Sequence, residues 1–143
     1  LCGTCGNGKT TMMRAFQNLL NVLRLPDDYH KKTYGIPVVN AGHIAHLCRS
    51  DYERFLNLCN TEMLGIDDMG TEPLEVQEFG NIHRPMVDLL TKRYENGTFT
   101  FITTNLVPQQ IRDLYGERIA DRLNEMADKI IFKNPSFRSW RHG

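Results

Sequence analysis

Apolar residues recur at helical spacing in several parts of the chain, with short apolar or β-branched runs between them. Met12, Met13, Phe16, Leu19, Leu20 and Leu23 fit one stripe and predict a helix over 10–25, ended by Pro26-Asp27-Asp28. A polar loop follows, then Ile36-Pro37-Val38-Val39, a short strand that Pro37 places at or near a sheet edge. Asn40 can cap a helix over 41–49, and Ser50 or Asp51 a second one reaching about Leu58. Met63 to Asp68 reads as a buried strand ending in two carboxylates, and Gly65 inside it predicts close approach by another backbone. Phe79 to Tyr94 carries Ile82, Met86, Leu89 and Leu90 on one side and predicts a helix, with Pro85 as a kink or as its true start. Asn96-Gly97 closes that helix. Thr98 to Thr104 is β-branched and aromatic and predicts a strand ending at Asn105. Pro108 opens a helix to about Leu114. Residues 116–123 begin another, with Ile119, Ala120 and Leu123 on its apolar side. Ile130 to Phe132 is a last short strand, before a polar tail containing aromatic residues.

Composition narrows this only slightly. Seventeen basic and seventeen acidic side chains cancel, so there is no global basic signal for nucleic acid, although a local basic surface would not alter that sum. No apolar run is long enough for a membrane span and no signal peptide is present, which points weakly to a cytoplasmic location. The four cysteines do not form a disulfide framework of the secreted type. Cys2 and Cys5 make a C-x-x-C without a second pair, so loop residues are a better reading of them than a metal site. One domain spanning 1–143 is expected.

The chemistry begins at the first residues. Gly3 to Thr10 satisfies G-x-x-x-x-G-K-[ST] at each fixed position. Gly3, Gly6 and Gly8 permit backbone conformations that let consecutive N–H groups face phosphate oxygens. The loop residues Gly3, Thr4, Cys5, Gly6, Asn7, Gly8, Lys9, Thr10 and Thr11 are therefore the expected nucleotide contacts. Lys9 would reach the β- and γ-phosphates, and Thr10 would ligate Mg²⁺. Asp67, at the end of the 63–68 strand, is the expected second Mg²⁺ contact, and Asp68 the group that orients or deprotonates an attacking water. Asn105, at the tip of the 98–104 strand, can hydrogen-bond that water or the γ-phosphate. The chain starts at the phosphate loop without a methionine, so most of the strand that should precede the loop is expected to be missing.

These elements, in this order, resemble the AAA+ ATPase domain of DnaC/DnaI-type helicase loaders and IstB-type transposition helpers. The likeness rests on Gly6 to Thr10, Ile66 to Gly70, Arg93 to Asn96 leading into Ile102 to Leu106, the 116–123 helix, and the closing Asn134 to Arg138. It implies a three-layer α/β P-loop NTPase of the ASCE type, with a parallel sheet in the order 5-1-4-3-2. It implies that ATP and Mg²⁺ are bound, that Lys9 and Thr10 form Walker A, that Asp67 and Asp68 form Walker B, and that Asn105 is sensor 1. It also implies an arginine finger acting in trans, with Arg122 the first choice and Arg118 the second, and hence a homo-oligomeric ring or spiral. Single-stranded or duplex DNA would bind near the helices between Asn40 and Leu58, with Lys31, Lys32, His43, His46, Arg49 and Arg54 close by. A replicative helicase or a transposase would dock on an N-terminal region outside this sequence. Two other readings stand beside this one: a nucleotide-responsive adaptor with little hydrolysis, and a small-molecule kinase. The carboxylate and asparagine strand ends argue against the kinase.

Overall fold

The computed structural model describes residues 1–23, 35–133 and 136. Lys31 and Lys32, and all of the tail except Ser136, lie outside the described residues. In chain order the elements are β1 (Cys2–Gly3), α1 (Lys9–Leu23), β2 (Val38–Asn40), α2 (Ala41–Ser50), α3 (Tyr52–Asn60), β3 (Met63–Met69), β4 (Val76–Glu78), β5 (Asn81–His83), α4 (Pro85–Asn96), β6 (Phe99–Thr104), α5 (Pro108–Tyr115), α6 (Glu117–Met126) and β7 (Ile131–Phe132).

Five strands form one sheet in the order β2-β3-β6-β1-β7, with every neighbouring pair parallel. Counting only these strands along the chain, the order is 5-1-4-3-2, as expected. Pro37 indeed precedes an edge strand. Gly65 is where β2 comes closest to β3: a Cβ there would stand 2.8 Å from Val38 Cγ2, and its N–H donates to Pro37 O at 2.8 Å. Parallel strands require crossovers on the sheet faces, and the pleat distributes side chains accordingly. Leu64 and Ile66 enter a core with Ala41, Ile44 and Cys48 of α2, Phe55 of α3, Leu89 and Leu90 of α4, and Ile119 of α6. Asp67 and Phe101 turn to the other face, where α1 supplies Thr10 and Phe16; the Phe16 and Phe101 ring centroids are 4.8 Å apart. The result is three layers, helix on sheet on helices.

The local signals that set the boundaries are visible. Asn40 Oδ1 accepts from Gly42 N at 2.9 Å, and Asp51 Oδ1 from Arg54 N at 3.2 Å, so both expected caps start their helices. Gly97, at φ 63°, ends α4 in the left-handed conformation that glycine adopts without strain. One expectation fails. The segment from Phe79 is not yet helix. Residues 76–83 form the hairpin β4–β5, whose turn Phe79-Gly80 has positive φ at both residues, and α4 starts only at Pro85. Ile82, expected on the apolar face of that helix, lies in β5 and is 64% exposed. Pro85 is thus the true start, where a proline costs nothing because its missing N–H would have no acceptor in the helix.

Candidate active site

The C-terminal ends of β1, β3 and β6 lie side by side, and the expected site residues come from them. β1 runs into the glycine-rich loop, where Gly6 and Gly8 have φ of 77° and 92°. Gly3 is excluded from carrying a side chain by space as well as by its φ of 153°: a Cβ would stand 2.5 Å from Asn7 Nδ2 and 2.7 Å from Phe132 O. Gly8 O accepts from Met12 N at 2.9 Å, which opens α1 directly behind the loop. The amides of the first helical turn have no acceptor inside the helix and carry its positive partial charge, so an anion fits there.

Lys9 is 5% exposed and its ammonium is surrounded by oxygens: Thr4 O at 2.7 Å, Gly3 O at 2.9 Å and Asn7 Oδ1 at 3.0 Å. All three belong to the loop, so the lysine holds its own loop in a closed ring. Asn7 is buried as well and donates to Phe132 O at 3.3 Å, which fastens the loop to β7.

Thr10 Oγ1 donates to Asp67 Oδ1 at 3.0 Å, which joins the start of α1 to the end of β3. Thr103 Oγ1 donates to the same carboxylate oxygen at 2.5 Å and accepts from Asp68 N at 2.9 Å. The ladder explains this double role. Ile66 pairs with Ile102 but Met69 with Thr104, so β3 carries one residue more than β6 between those points. The extra residue makes a bulge, which bends the strand and re-aims a side chain. Asp68 takes the strained position, with φ 57°, a conformation that aspartate tolerates better than most residues. The Asp67 carboxylate is thus held by Thr10 and Thr103, while Asp68 sits in the bulge with its N–H bonded to Thr103. Thr103 has no motif role of its own, and its only signal in the sequence is its place near the end of the strand that pairs with the carboxylate-bearing one.

Asn105 is exposed one residue past β6, between the strand leading to the phosphate loop and the strand leading to the carboxylates. The hydroxyl of Thr10 and the carboxylate of Asp67 are hard oxygen donors side by side, the donor type that Mg²⁺ takes. The residues present therefore suit that ion.

No family model matches the chain, and no curated protein matches it. Among solved structures it overlays the DnaC helicase loader at 22% identity and TM-score 0.67, covering 92% of this chain and 76% of that one. It overlays DnaI at 20% identity and TM-score 0.68, covering 94% and 69%. AMPPCP-bound DnaA from Aquifex aeolicus matches at 18% identity and TM-score 0.64, covering 96% of this chain and 41% of that one. The chain has the fold of these structures.

In this fold the two arginines of α6 are separated by their surroundings. Arg118 is exposed in the first turn. Arg122 is folded back on its own chain: its guanidinium lies 5.0 Å from the Tyr94 ring centroid, its Nη2 is 4.0 Å from Glu95 Oε1, and its side chain is 15% exposed. On the α2–α3 side, His43 and His46 stack at 6.1 Å on an exposed helix face, Arg49 is exposed, and Arg54 Nε is 3.2 Å from Asp51 Oδ2. No helix among the described residues is long and apolar enough to cross a membrane.

Proposed function

We propose that this chain is an ATP-binding and ATP-hydrolysing domain that works on DNA in replication, in the manner of a helicase loader. The observation that carries the proposal is the oxygen network Thr10–Asp67–Thr103–Asp68 placed against the glycine-rich loop and Lys9. Two of the chains with its fold are the DnaC loader and DnaI, which favours the loader over the IstB-like transposition helper that the sequence also resembles. On this reading the loop amides and the start of α1 hold the phosphates, and Lys9 exchanges its carbonyl partners for phosphate oxygens. Thr10 and Asp67 hold Mg²⁺, which would supply charge neutralisation between the phosphates. Asp68 orients the attacking water and Asn105 contacts it or the γ-phosphate. A replicative helicase is the proposed partner. DNA would lie along the exposed α2–α3 face, held through phosphate contacts that weaken with salt.

Nucleotide binding can be read without any turnover. Cys5 is exposed within the loop, whereas Cys48 and Cys59 are buried and burial pushes their thiols up to about 12 and about 11. Maleimide labelling followed by peptide mass spectrometry should modify Cys5 and leave Cys48 and Cys59 intact. ATP with Mg²⁺ should protect Cys5. Equal labelling with and without ATP would count against the phosphate loop as a binding site.

The finger assignment moves with the geometry. A trans-acting arginine has to reach a neighbour, and Arg122 is engaged with Tyr94 and Glu95 of its own subunit. Arg118 is therefore proposed as the finger, in a head-to-tail homo-oligomer. Arg118→Ala should keep ATP affinity and lose about 10³-fold in hydrolysis, the low end for such a group. Mixing it with Lys9→Ala should restore part of the activity, because mixed interfaces combine an intact loop with an intact finger. Recovery absent from every mixing ratio, or the same loss from Arg122→Ala, would reject this assignment.

A second reading, an adaptor that binds ATP but barely hydrolyses it, is favoured by one feature. Asp68 is a methylene shorter than glutamate and is held at φ 57°. Single-turnover hydrolysis with and without DNA separates the two readings.

A further inference from the structure

The turn that carries Asp68 is anchored by a buried carboxylate that the readings above leave without a task. Glu72 is 6% exposed, although it lies only a few residues beyond the strand end. Its Oε2 accepts from Gly70 N at 2.8 Å, and its Oε1 accepts from the Tyr115 hydroxyl through a short hydrogen bond. Tyr115 is 3% exposed and is the last residue of α5. Burial, and then this bond to Glu72, push its phenol well above the usual tyrosine range, so it is a fixed donor at any working pH.

The bonds on either side of this pair give it a direction. Asp68 O accepts from Thr71 Oγ1 at 2.8 Å and from Thr71 N at 3.2 Å, so the turn after Asp68 is closed by its own backbone. Gly70, at the middle of that turn, has Glu72 on one side. On the other it is so close to Leu106 that a Cβ would stand 2.7 Å from Leu106 Cδ1. Leu106 N in turn donates to Thr104 Oγ1, which donates to Met69 O. Beyond Tyr115 the chain turns at Gly116, whose φ of 94° ends α5, and Gly116 O accepts from Ala120 N to open α6. Arg118 lies in that first turn. A carboxylate taken out of water needs hydrogen bonds that compensate for its desolvation, and here one comes from the Asp68 turn and one from the α5–α6 corner.

We propose that Glu72 is a positioning residue for Asp68, and that its bond to Tyr115 couples the setting of Asp68 to the α5–α6 corner from which Arg118 projects. Displacement of that corner at a subunit interface would then be felt in the same subunit's own catalytic turn, so hydrolysis would depend on engagement on both sides of a protomer. The inference rests on the hydrolytic reading for Asp68, but the coupling itself is a property of the fold and has its own readout.

The test uses the full chain with Tyr115→Phe, Glu72→Ala and Glu72→Gln. Tyr115→Phe keeps the ring and deletes the donor. Glutamine at 72 can still accept from Gly70 N and meet the tyrosine hydroxyl, so it serves as the rescue. Amide exchange over 66–72 should quicken at Gly70 by about tenfold or more in Tyr115→Phe, as expected for a locally opened turn, and remain near the wild-type rate in Glu72→Gln. Hydrolysis per nucleotide-binding-competent protein should fall about 10- to 100-fold in Tyr115→Phe and Glu72→Ala, the scale of a displaced catalytic group. KM should stay within about twofold, since Lys9 and the loop are untouched. Unchanged exchange at Gly70 in Tyr115→Phe overturns the coupling. Faster exchange with unchanged kcat, or a loss explained wholly by a smaller binding-competent fraction, overturns the positioning role. Should the wild type bind ATP without hydrolysing it, the hydrolytic reading falls and the positioning role with it, while the exchange result still decides the coupling.

Discussion

Lys9→Ala should raise the dissociation constant for ATP by roughly 30-fold at the least, measured by titration with a fluorescent ATP analogue. Truncating one partner of a buried, hydrogen-bonded charge contact costs about 2–5 kcal/mol, and about 1.4 kcal/mol is a factor of ten. A competing structural effect has to be separated from this. In the resting loop the ammonium binds Gly3 O, Thr4 O and Asn7 Oδ1, so its removal also leaves oxygens of a tight turn without a donor. Gly3 O and Thr4 O are only partly buried and water can reach them once the ammonium is gone, which leaves Asn7 Oδ1 as the one buried acceptor of the three. The structural cost should therefore be the smaller effect. Lys9→Met checks this, because it fills most of the side-chain volume without the charge. Both variants should lose affinity together, while Lys9→Met keeps a melting temperature close to wild type. If Lys9→Met binds ATP as tightly as wild type, the lysine holds only the loop, and the phosphate-binding role is wrong.

The same lysine shows what could be read in advance. Its motif is a string of residue types whose spacing follows from backbone geometry, so both loop and helix start were legible. The sheet order was legible only through resemblance, because periodicity identifies strands without pairing them. The hairpin at 76–83 was not legible. A two-residue turn of this kind is usually signalled by Asn-Gly or Asp-Gly, but here it is Phe79-Gly80, and Phe79 is 98% exposed in a conformation that costs an aromatic residue strain. Ile82 also falls four residues before Met86, so the helical pattern extended falsely into the strand. The resemblance ranked Arg122 ahead of Arg118, and the spacing of the two residues held nothing that could test that order. They share a face of α6, and what distinguishes them is Tyr94, contributed by another helix.

Arg93 carries the second large effect. It lies in the Arg-Tyr-Glu-Asn stretch that marks the resemblance, yet it is fully buried on α4 and far from being a surface charge. Its Nη1 donates to Leu58 O at 3.0 Å and Thr61 O at 2.6 Å, its Nη2 to Phe99 O at 2.6 Å, and its Nε to Thr100 Oγ1 at 2.8 Å. One planar fork thus ties the end of α3, the turn after it and the start of β6 to α4. Burial lowers its pKa to about 10, so it remains charged at neutral pH and its desolvation works against folding. Replacing it therefore removes a cost as well as four hydrogen bonds. The bonds win because most of the acceptors are backbone carbonyls, which stay in place and lose their donor whatever residue replaces the arginine. Arg93→Met, of similar reach, should lose about 3 kcal/mol or more, since each buried acceptor left without a donor costs about 1–3 kcal/mol and the relieved desolvation offsets only part of that sum. The melting temperature should fall by roughly 10 °C or more. Arg93→Lys should recover only part of this, since an ammonium cannot span four acceptors arranged for a fork. The sign of the pH dependence gives a further check. Below about pH 10 the guanidinium is protonated in both folded and unfolded chains, so neither state takes up protons through it. The deficit of Arg93→Met should then be flat across about pH 6 to 9, and chemical denaturation at several pH values will show whether it is. A deficit that vanishes at neutral pH would mean that water reaches these carbonyls and the fork holds nothing together.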